Sequence, residues 1–127
     1  MSILFYDHLI KKEEILILID QTNEPENQKN KALQLIDDII HHELLSFILE
    51  RLEESKHHTF LSLIEERPYD PEILSYLQDH ISPTIEAEIE QFAHKIIQDI
   101  KQDLLESKNS WKFSFIYKRY IMILIDY

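Results

Sequence analysis

The sequence predicts an all-α fold, an irregular bundle of about four to five helices in which two long antiparallel helices are bridged by two short ones. Apolar residues recur at intervals of three and four along most of the chain, as the buried face of a helix requires. The chain also contains four prolines and no glycine, so prolines and polar capping residues must mark where helices begin and end.

The first long helix is predicted over about residues 25–54. It begins at Pro25, which suits the first turn of a helix because that position needs no backbone N–H. Apolar residues then recur on one face: Ala32, Leu33, Ile36, Ile39, Ile40, Leu44, Phe47, Ile48 and Leu52. The apolar side chains of so long a face must pack on another helix to be buried.

The second long helix is predicted to start after Ser82-Pro83, where the serine side chain can cap the first turn. Its apolar face consists of Ile85, Ile89, Phe92, Ala93, Ile96, Ile97, Ile100 and Leu104. Glutamates near its N-terminal end and lysines near its C-terminal end suit the helix dipole. The two long helices can therefore form a hairpin.

Two short helices, over about residues 55–66 and 71–80, are predicted between the long ones. Pro68 ends the first of them, because proline disfavours helical geometry at the residue before it, Arg67. Asp70-Pro71 begins the second, with the aspartate as cap and the proline in the first turn. Such short connections place both helices at one end of the hairpin.

Both ends of the chain carry runs of β-branched and aromatic residues that suit a strand as well as a buried helix. We expect the Ile-Leu-Ile-Leu-Ile run at 15–19 to be helical in view of the apolar residues upstream: Leu4, Phe5, Leu9 and Ile10. For the C-terminal run at 111–125, helix and strand both stay open. Short terminal strands are therefore an alternative at either end.

The charge divides the chain into two parts. The net charge is −11, yet residues 108–127 carry +3, which leaves −14 on residues 1–107. We expect an acidic helical bundle domain over residues 1–107 and a basic, aromatic tail over residues 108–127 that packs on the same domain. An acidic body favours basic protein partners and repels phosphates, so no nucleic-acid binding is expected.

The composition excludes several classes of site. Without glycine the chain cannot form a P-loop or a dinucleotide-binding loop, and without cysteine it has neither disulfides nor a thiolate zinc site. We expect no cofactor. A cytoplasmic location and no transmembrane segment are expected, because the chain lacks cysteines, a secretory signal and an apolar run long enough to span a bilayer.

Three segments carry a resemblance to a family. They are Leu35-Ile36-Asp37-Asp38-Ile39-Ile40 running into residues 44–52, then residues 60–66, then Asp70-Pro71-Glu72-Ile73-Leu74. With them the chain resembles, over about residues 25–106, an uncharacterised bacterial family of short acidic helical proteins, a domain of unknown function that is common in small-genome candidate phyla. The resemblance implies an all-helical domain of bacterial origin and carries over no activity, cofactor or functional residue.

Seven histidines raise the question of a metal site. The closest pairs are Asp38 with His41 or His42, Glu90 with His94, and Glu54 with His57. A di-iron bundle needs ligands that converge from several helices, whereas His42 and His94 fall away from the apolar faces of their helices. We therefore expect surface histidines and no metal site.

Glu43 is the candidate for a buried acid, because it falls within the apolar face of the first long helix. A buried carboxylate must be paired or have a raised pKa, since an isolated buried charge is costly. Two interpretations stay open. Glu43 lies at the edge of the face and reaches water or a cationic partner, or it is a catalytic or partner-binding acid.

The C-terminal tail is the segment in which we expect a binding surface. Its aromatic and basic residues have the composition of interfaces: Trp111, Phe113, Phe115, Tyr117, Tyr120, Lys118 and Arg119. Three interpretations stay open. The tail completes the core, binds a partner or a second copy of the chain, or touches a membrane surface.

With no nucleophile motif in the chain, the sequence favours a non-enzymatic adaptor or regulator that binds a protein. One alternative is an acidic inhibitor or antitoxin-like protein that covers a basic target. Another is a small metal-assisted or acid-base enzyme that uses Glu43 with a nearby histidine. Convergence of Glu43 with two histidines or acidic residues in one pocket would favour the enzyme.

Overall fold

The computed structural model describes residues 4–106 and, of Glu106, only the backbone. In this part of the chain it contains five α helices and two short 3-10 turns. The α helices are α1 (Glu13–Asp20), α2 (Glu26–Arg51), α3 (His57–Glu66), α4 (Glu72–His80) and α5 (Ile85–Glu106). The 3-10 turns are Asp7–Leu9 and Glu54–Lys56. The fold is an all-α bundle, which confirms the predicted fold class.

Helix or strand was predicted for an apolar run near each end of the chain, and the structure describes only the first of these runs. The run at 15–19 lies in α1, so its helical assignment is confirmed and the strand alternative is wrong there. Upstream of α1, the Phe5 N–H donates a hydrogen bond of 2.8 Å to the Pro68 carbonyl. Residues 4–106 contain no strand. The run at 111–125 lies outside the described residues.

Two helix starts have the cap that the sequence predicts. The Glu72 N–H donates to Asp70 Oδ1 over 2.9 Å at the start of α4, and the Thr84 N–H donates to Ser82 Oγ over 3.1 Å at the start of α5. In both, the acceptor precedes the donor by two residues with a proline between them. Each bond satisfies an N–H group that has no partner within its helix.

The connection from α2 to α3 is tighter than predicted. α2 ends at Arg51, where a nitrogen of the His57 ring lies 2.8 Å from the Leu52 carbonyl oxygen and closes the helix end. A 3-10 turn then leads directly into α3. α3 ends before Arg67, whose backbone is not helical (φ −143°, ψ 69°), as expected for a residue that precedes proline.

The described residues form two compact units. Unit 1 contains Leu44–Ala93 and residues 4–10. Of the described residues, unit 2 contains Lys11–Glu43 and residues 94–106. Both long helices, α2 and α5, contribute residues to each unit, so each unit can be described as a small helical cluster with its own core.

In unit 1, the end of α2 runs antiparallel to the start of α5. Phe47 and Phe92 stack with ring centroids 4.4 Å apart, while Arg51, one turn later in α2, pairs with Glu88, one turn earlier in α5. The core of unit 1 consists of Phe5, Tyr6, Leu9, Leu44, Ile48, Leu52, Phe60, Ile73, Leu74, Leu77, Ile85, Ile89 and Ala93. The antiparallel arrangement of the two long helices is thus present in this unit.

In unit 2, α1 runs antiparallel to the start of α2. Lys12, just before α1, pairs with Asp37 over 2.7 Å, and Lys29 Nζ donates to the carbonyl of Asp20, at the end of α1, over 2.9 Å. The core of unit 2 consists of Ile15, Ile19, Ala32, Ile36, Ile39, Ile40, Ile96, Ile97, Ile100 and Leu104. Three helices, α1, α2 and α5, therefore share this core.

Candidate protein-binding groove

α1 carries apolar residues all round but buries only one side. Ile15 and Ile19, one turn apart, are 0% and 1% exposed and belong to the core of unit 2. Leu16 and Ile17, between them, are 45% and 55% exposed. A helix whose apolar residues are consecutive cannot bury all of them against neighbours on one side. Leu16 and Ile17 therefore form an apolar surface.

This surface continues into an open groove between α1 and the first turns of α2. The groove has a volume of about 450 Å³. It is lined by Leu16, Ile17, Ile19, Asp20, Gln21, Glu26, Lys29, Asn30 and Leu33. Its volume lies within the range of about 300–1,000 Å³ that is usual for ligand sites. Several side chains of a bound segment would fit in it.

The polar edge of the groove is built from the ends of two helices. Lys29 Nζ bonds the Asp20 carbonyl, which places an ammonium group at the negative end of α1. The Thr22 hydroxyl donates to the Ile19 carbonyl over 2.8 Å and ends the same helix. Asp20 and Glu26 are exposed. The groove thus combines an apolar floor with carboxylates at its edge.

The loop between α1 and α2 contains a buried acceptor that is not part of the groove lining. Glu24 Oε1 is buried and has no hydrogen-bond partner among the described residues. Glu24 lies in sequence between Gln21 and Glu26, which both line the groove. A buried carboxylate oxygen without a donor is costly.

Ion pairs hold α1 in place behind the groove. Lys101 of α5 pairs with Glu14, and Lys12 pairs with Asp37 of α2. The hydrogen bond and the charge of the Lys101 ammonium hold the pKa of Glu14 below its ordinary value of 4.5. Glu14 is therefore ionised at neutral pH, and the pair fixes the start of α1 beside α5.

A second polar cluster, in unit 1, connects α2 with α5. Arg51 pairs with Glu88, and the Thr84 hydroxyl donates to the other oxygen of Glu88 over 3.2 Å. The hydrogen bond from Arg51 is the main reason that the pKa of Glu88 lies below its ordinary value of 4.5. These groups stabilise the contact between helices, and a lowered carboxyl pKa does not suit a general acid at neutral pH.

A third cluster, also in unit 1, joins the 3-10 turn at 54–56 to α4. Lys56 Nζ lies 3.1 Å from His80 Nδ1 and 3.7 Å from Glu53 Oε2. The Tyr76 ring packs on the His80 ring with centroids 4.3 Å apart. Because Glu53 and His80 are exposed at the surface, the cluster has no enclosed space for a substrate.

The residues selected from the sequence are placed as follows. Glu43 is partly buried, and neither of the two interpretations of its carboxylate is excluded by this position. His94 is exposed and His42 is partly exposed. Within residues 4–106, no three histidine, aspartate or glutamate residues are arranged to hold a metal ion. The selected tail residues lie outside the described part: Trp111, Phe113, Phe115, Tyr117, Tyr120, Lys118 and Arg119.

The groove was not predicted from the sequence. A signal for it was present, since five consecutive apolar residues in a short helix exceed what one buried face can cover. The position of Leu33 across the groove from the apolar residues of α1 could not be predicted, because it depends on the antiparallel packing of α1 on α2. Leu33 was assigned to the core face of its helix, and the structure leaves it partly exposed.

Two further findings bear on the function of the chain. In the described part of the chain, no helix has both the length and the apolar content needed to cross a bilayer. Comparisons of the chain with protein-family models, curated proteins and solved structures give no match. The resemblance to a bacterial family of helical proteins stays a prediction, and a functional proposal must rest on the geometry of the groove.

Proposed function

We propose that the chain is a non-enzymatic adaptor or regulator that binds a protein through the groove between α1 and α2. The observation that carries the proposal is the exposure of Leu16 and Ile17 beside Leu33. Contiguous apolar side chains in water are characteristic of surfaces that bind another protein. A groove between two helices suits an amphipathic helix whose apolar face enters it.

The charge of the groove edge indicates the chemistry of the partner. Asp20 and Glu26 are exposed there, and the Lys29 ammonium is already bonded to the Asp20 carbonyl. The remaining body is acidic as well, with −14 on residues 1–107. A partner with lysine or arginine next to its apolar residues would associate faster, and its binding would weaken with salt.

The experiment compares Ile17→Glu with Leu61→Glu. Leu61 is 43% exposed in α3 of unit 1 and provides a matched control for a new surface charge. Tagged wild-type and variant chains are used to capture proteins from the source cells, and each captured protein is then purified and titrated. We expect a partner that binds the wild type and Leu61→Glu with similar affinity.

For Ile17→Glu we expect a loss of about ten- to a hundredfold, since burial of one large apolar side chain contributes on the order of 1.5–3 kcal/mol. Circular dichroism establishes that both variants are folded. A partner that binds all three chains equally would show that the groove is not the binding surface.

The acidic inhibitor is a second candidate, favoured by a specific observation in unit 1. The carboxylates of this unit that are exposed include Glu53, Glu54, Glu65, Glu66, Glu72, Asp79 and Glu90. A target that is captured equally by Ile17→Glu and Leu61→Glu, and released by salt, would support this candidate over groove binding. The enzyme alternative has no comparable support, since Glu43 is not among the residues that line the groove.

A further inference from the structure

The groove of unit 2 requires a covering segment of a particular composition. Its apolar residues Leu16 and Ile17 are exposed, which calls for apolar or aromatic side chains in the segment that covers them. Its lining also includes the carboxylates of Asp20 and Glu26, which are both exposed. A covering segment with basic side chains would therefore complement these carboxylates in charge.

The chain itself contains such a segment after α5. Residues 108–127 carry a net charge of +3 beside a body of −14. The aromatic and basic side chains of this segment include Trp111, Phe113, Phe115, Tyr117, Lys112, Lys118 and Arg119. Opposite charge and aromatic content thus match the acidic edge and the apolar floor of the groove.

The end of α5 also lies close enough to the groove. Lys101 is held against Glu14 of α1 by their ion pair. At 1.5 Å per residue, α5 ends at Glu106, about 7.5 Å beyond Lys101, and Ile17 lies about 4.5 Å along α1 from Glu14. The following 21 residues, 107–127, span about 30 Å as a helix and about 70 Å when extended. Residues 107–127 are therefore long enough to reach the groove.

We propose that residues 107–127 bind in the groove of the same molecule, with their aromatic side chains against Leu16 and Ile17 and their basic side chains near Asp20 and Glu26. A tethered segment has an effective concentration on the order of millimolar, so weak contacts are sufficient for occupancy. The tail is then a built-in competitor of any external partner. This inference adds regulation to the groove of the proposed function, and its test requires no external partner.

Trp111 provides the first test, because it is the only tryptophan of the chain. Fluorescence is recorded for the full-length wild type, for the double variant Leu16→Glu/Ile17→Glu and for the control Leu61→Glu. We expect a blue-shifted emission with weak acrylamide quenching in the wild type and in the control. The double variant should shift the emission to the red and increase quenching, while its circular dichroism stays helical. Identical emission in all three chains would overturn the proposal.

A cross-link provides the second test, and it also distinguishes the same molecule from a second copy. The chain has no cysteine, so Ile17→Cys with Phe115→Cys creates a single pair, and Leu61→Cys with Phe115→Cys is the matched control. Under mild oxidation we expect an intramolecular disulfide in the first protein and free thiols in the second. A disulfide-linked dimer would overturn binding in the same molecule in favour of a second copy. Equal cross-linking of both pairs would overturn the groove as the location.

The cross-linked protein keeps Leu16 and most of the groove, so this result stands even where the double glutamate variant does not fold. The two proposals can also fail separately. A chain that forms the intramolecular cross-link but loses no partner on Ile17→Glu retains tail binding and refutes the adaptor surface. A chain that loses its partner on Ile17→Glu but forms no cross-link retains the adaptor surface and refutes tail binding.

Discussion

Arg51 and Glu88 form an ion pair between the end of α2 and the start of α5 that other side chains reinforce on both sides. The Arg51 guanidinium lies over the Phe47 ring, 5.6 Å from its centroid, and the Glu88 carboxylate also accepts a hydrogen bond from Thr84. These bonds stabilise the ionised form of Glu88, and its pKa is lowered as a result. The contact between the two helices in unit 1 therefore depends on pH.

We expect Glu88→Gln to lower the melting temperature at pH 7 and to have a diminishing effect in acid. A carboxylate whose pKa is lower in the folded state contributes stability above its unfolded value, and that contribution is lost as the pH falls below about 4.5 towards the folded value. Thermal unfolding between pH 7 and pH 3 measures the difference between wild type and variant. Glu90→Gln, at an exposed position in α5, is the control and should show no such trend. An equal deficit of Glu88→Gln at every pH would contradict this origin.

We expect Ser82→Ala to destabilise the chain by about 1 kcal/mol, because it removes the side-chain oxygen that caps the start of α5. Urea unfolding of the wild type and the variant measures this difference. Ser75→Ala, at an exposed position within α4, is the matched control. It should change stability little or increase it slightly, since alanine is the better helix former. A similar loss in both variants would show that the Ser82 hydroxyl has no special role.

The helices could be predicted because their signals are local. Asp70-Pro71 and Ser82-Pro83 each place a capping oxygen and a proline at the start of a helix, and both caps are present. Pro68 ends α3 through its effect on Arg67. In α5, the spacing of the isoleucines matched the buried face, since Ile85, Ile89, Ile96, Ile97 and Ile100 are all in the core. Such features need only neighbouring residues.

The groove could not be predicted because it depends on the packing of helices that are distant in sequence. The apolar spacing placed Leu33 and Phe47 on a buried face, yet both are partly exposed, since a neighbouring helix covers only part of that face. Glu43 was assigned to the same face and is partly exposed. Spacing along one helix gives the direction of a side chain, and burial requires the position of the neighbouring helix as well.

We expect that treatment with EDTA leaves the melting temperature unchanged. A structural metal contributes directly to folding, so its removal lowers the melting temperature. In residues 4–106, no three side chains of the ligand-forming types are arranged to hold a metal ion. Differential scanning calorimetry before and after chelation, with metal analysis of the purified protein, measures the effect. A large drop together with stoichiometric metal would require ligands that include residues outside this range.

We expect Ile48→Ala and Leu61→Ala to differ strongly, although both residues are large, apolar and helical. Ile48 of α2 is 0% exposed and lies in the core of unit 1, so truncation to alanine leaves a cavity and should destabilise by about 2–5 kcal/mol. Ile48→Val removes a single methyl group and should cost about 0.5–1.5 kcal/mol. Leu61 meets water already, and Leu61→Ala should change stability by about 0.5 kcal/mol or less. Urea unfolding of the wild type and the three variants measures these differences in the free energy of unfolding. A larger loss of stability for Leu61→Ala than for Ile48→Ala would mean that α2 presents a different face to the core of unit 1.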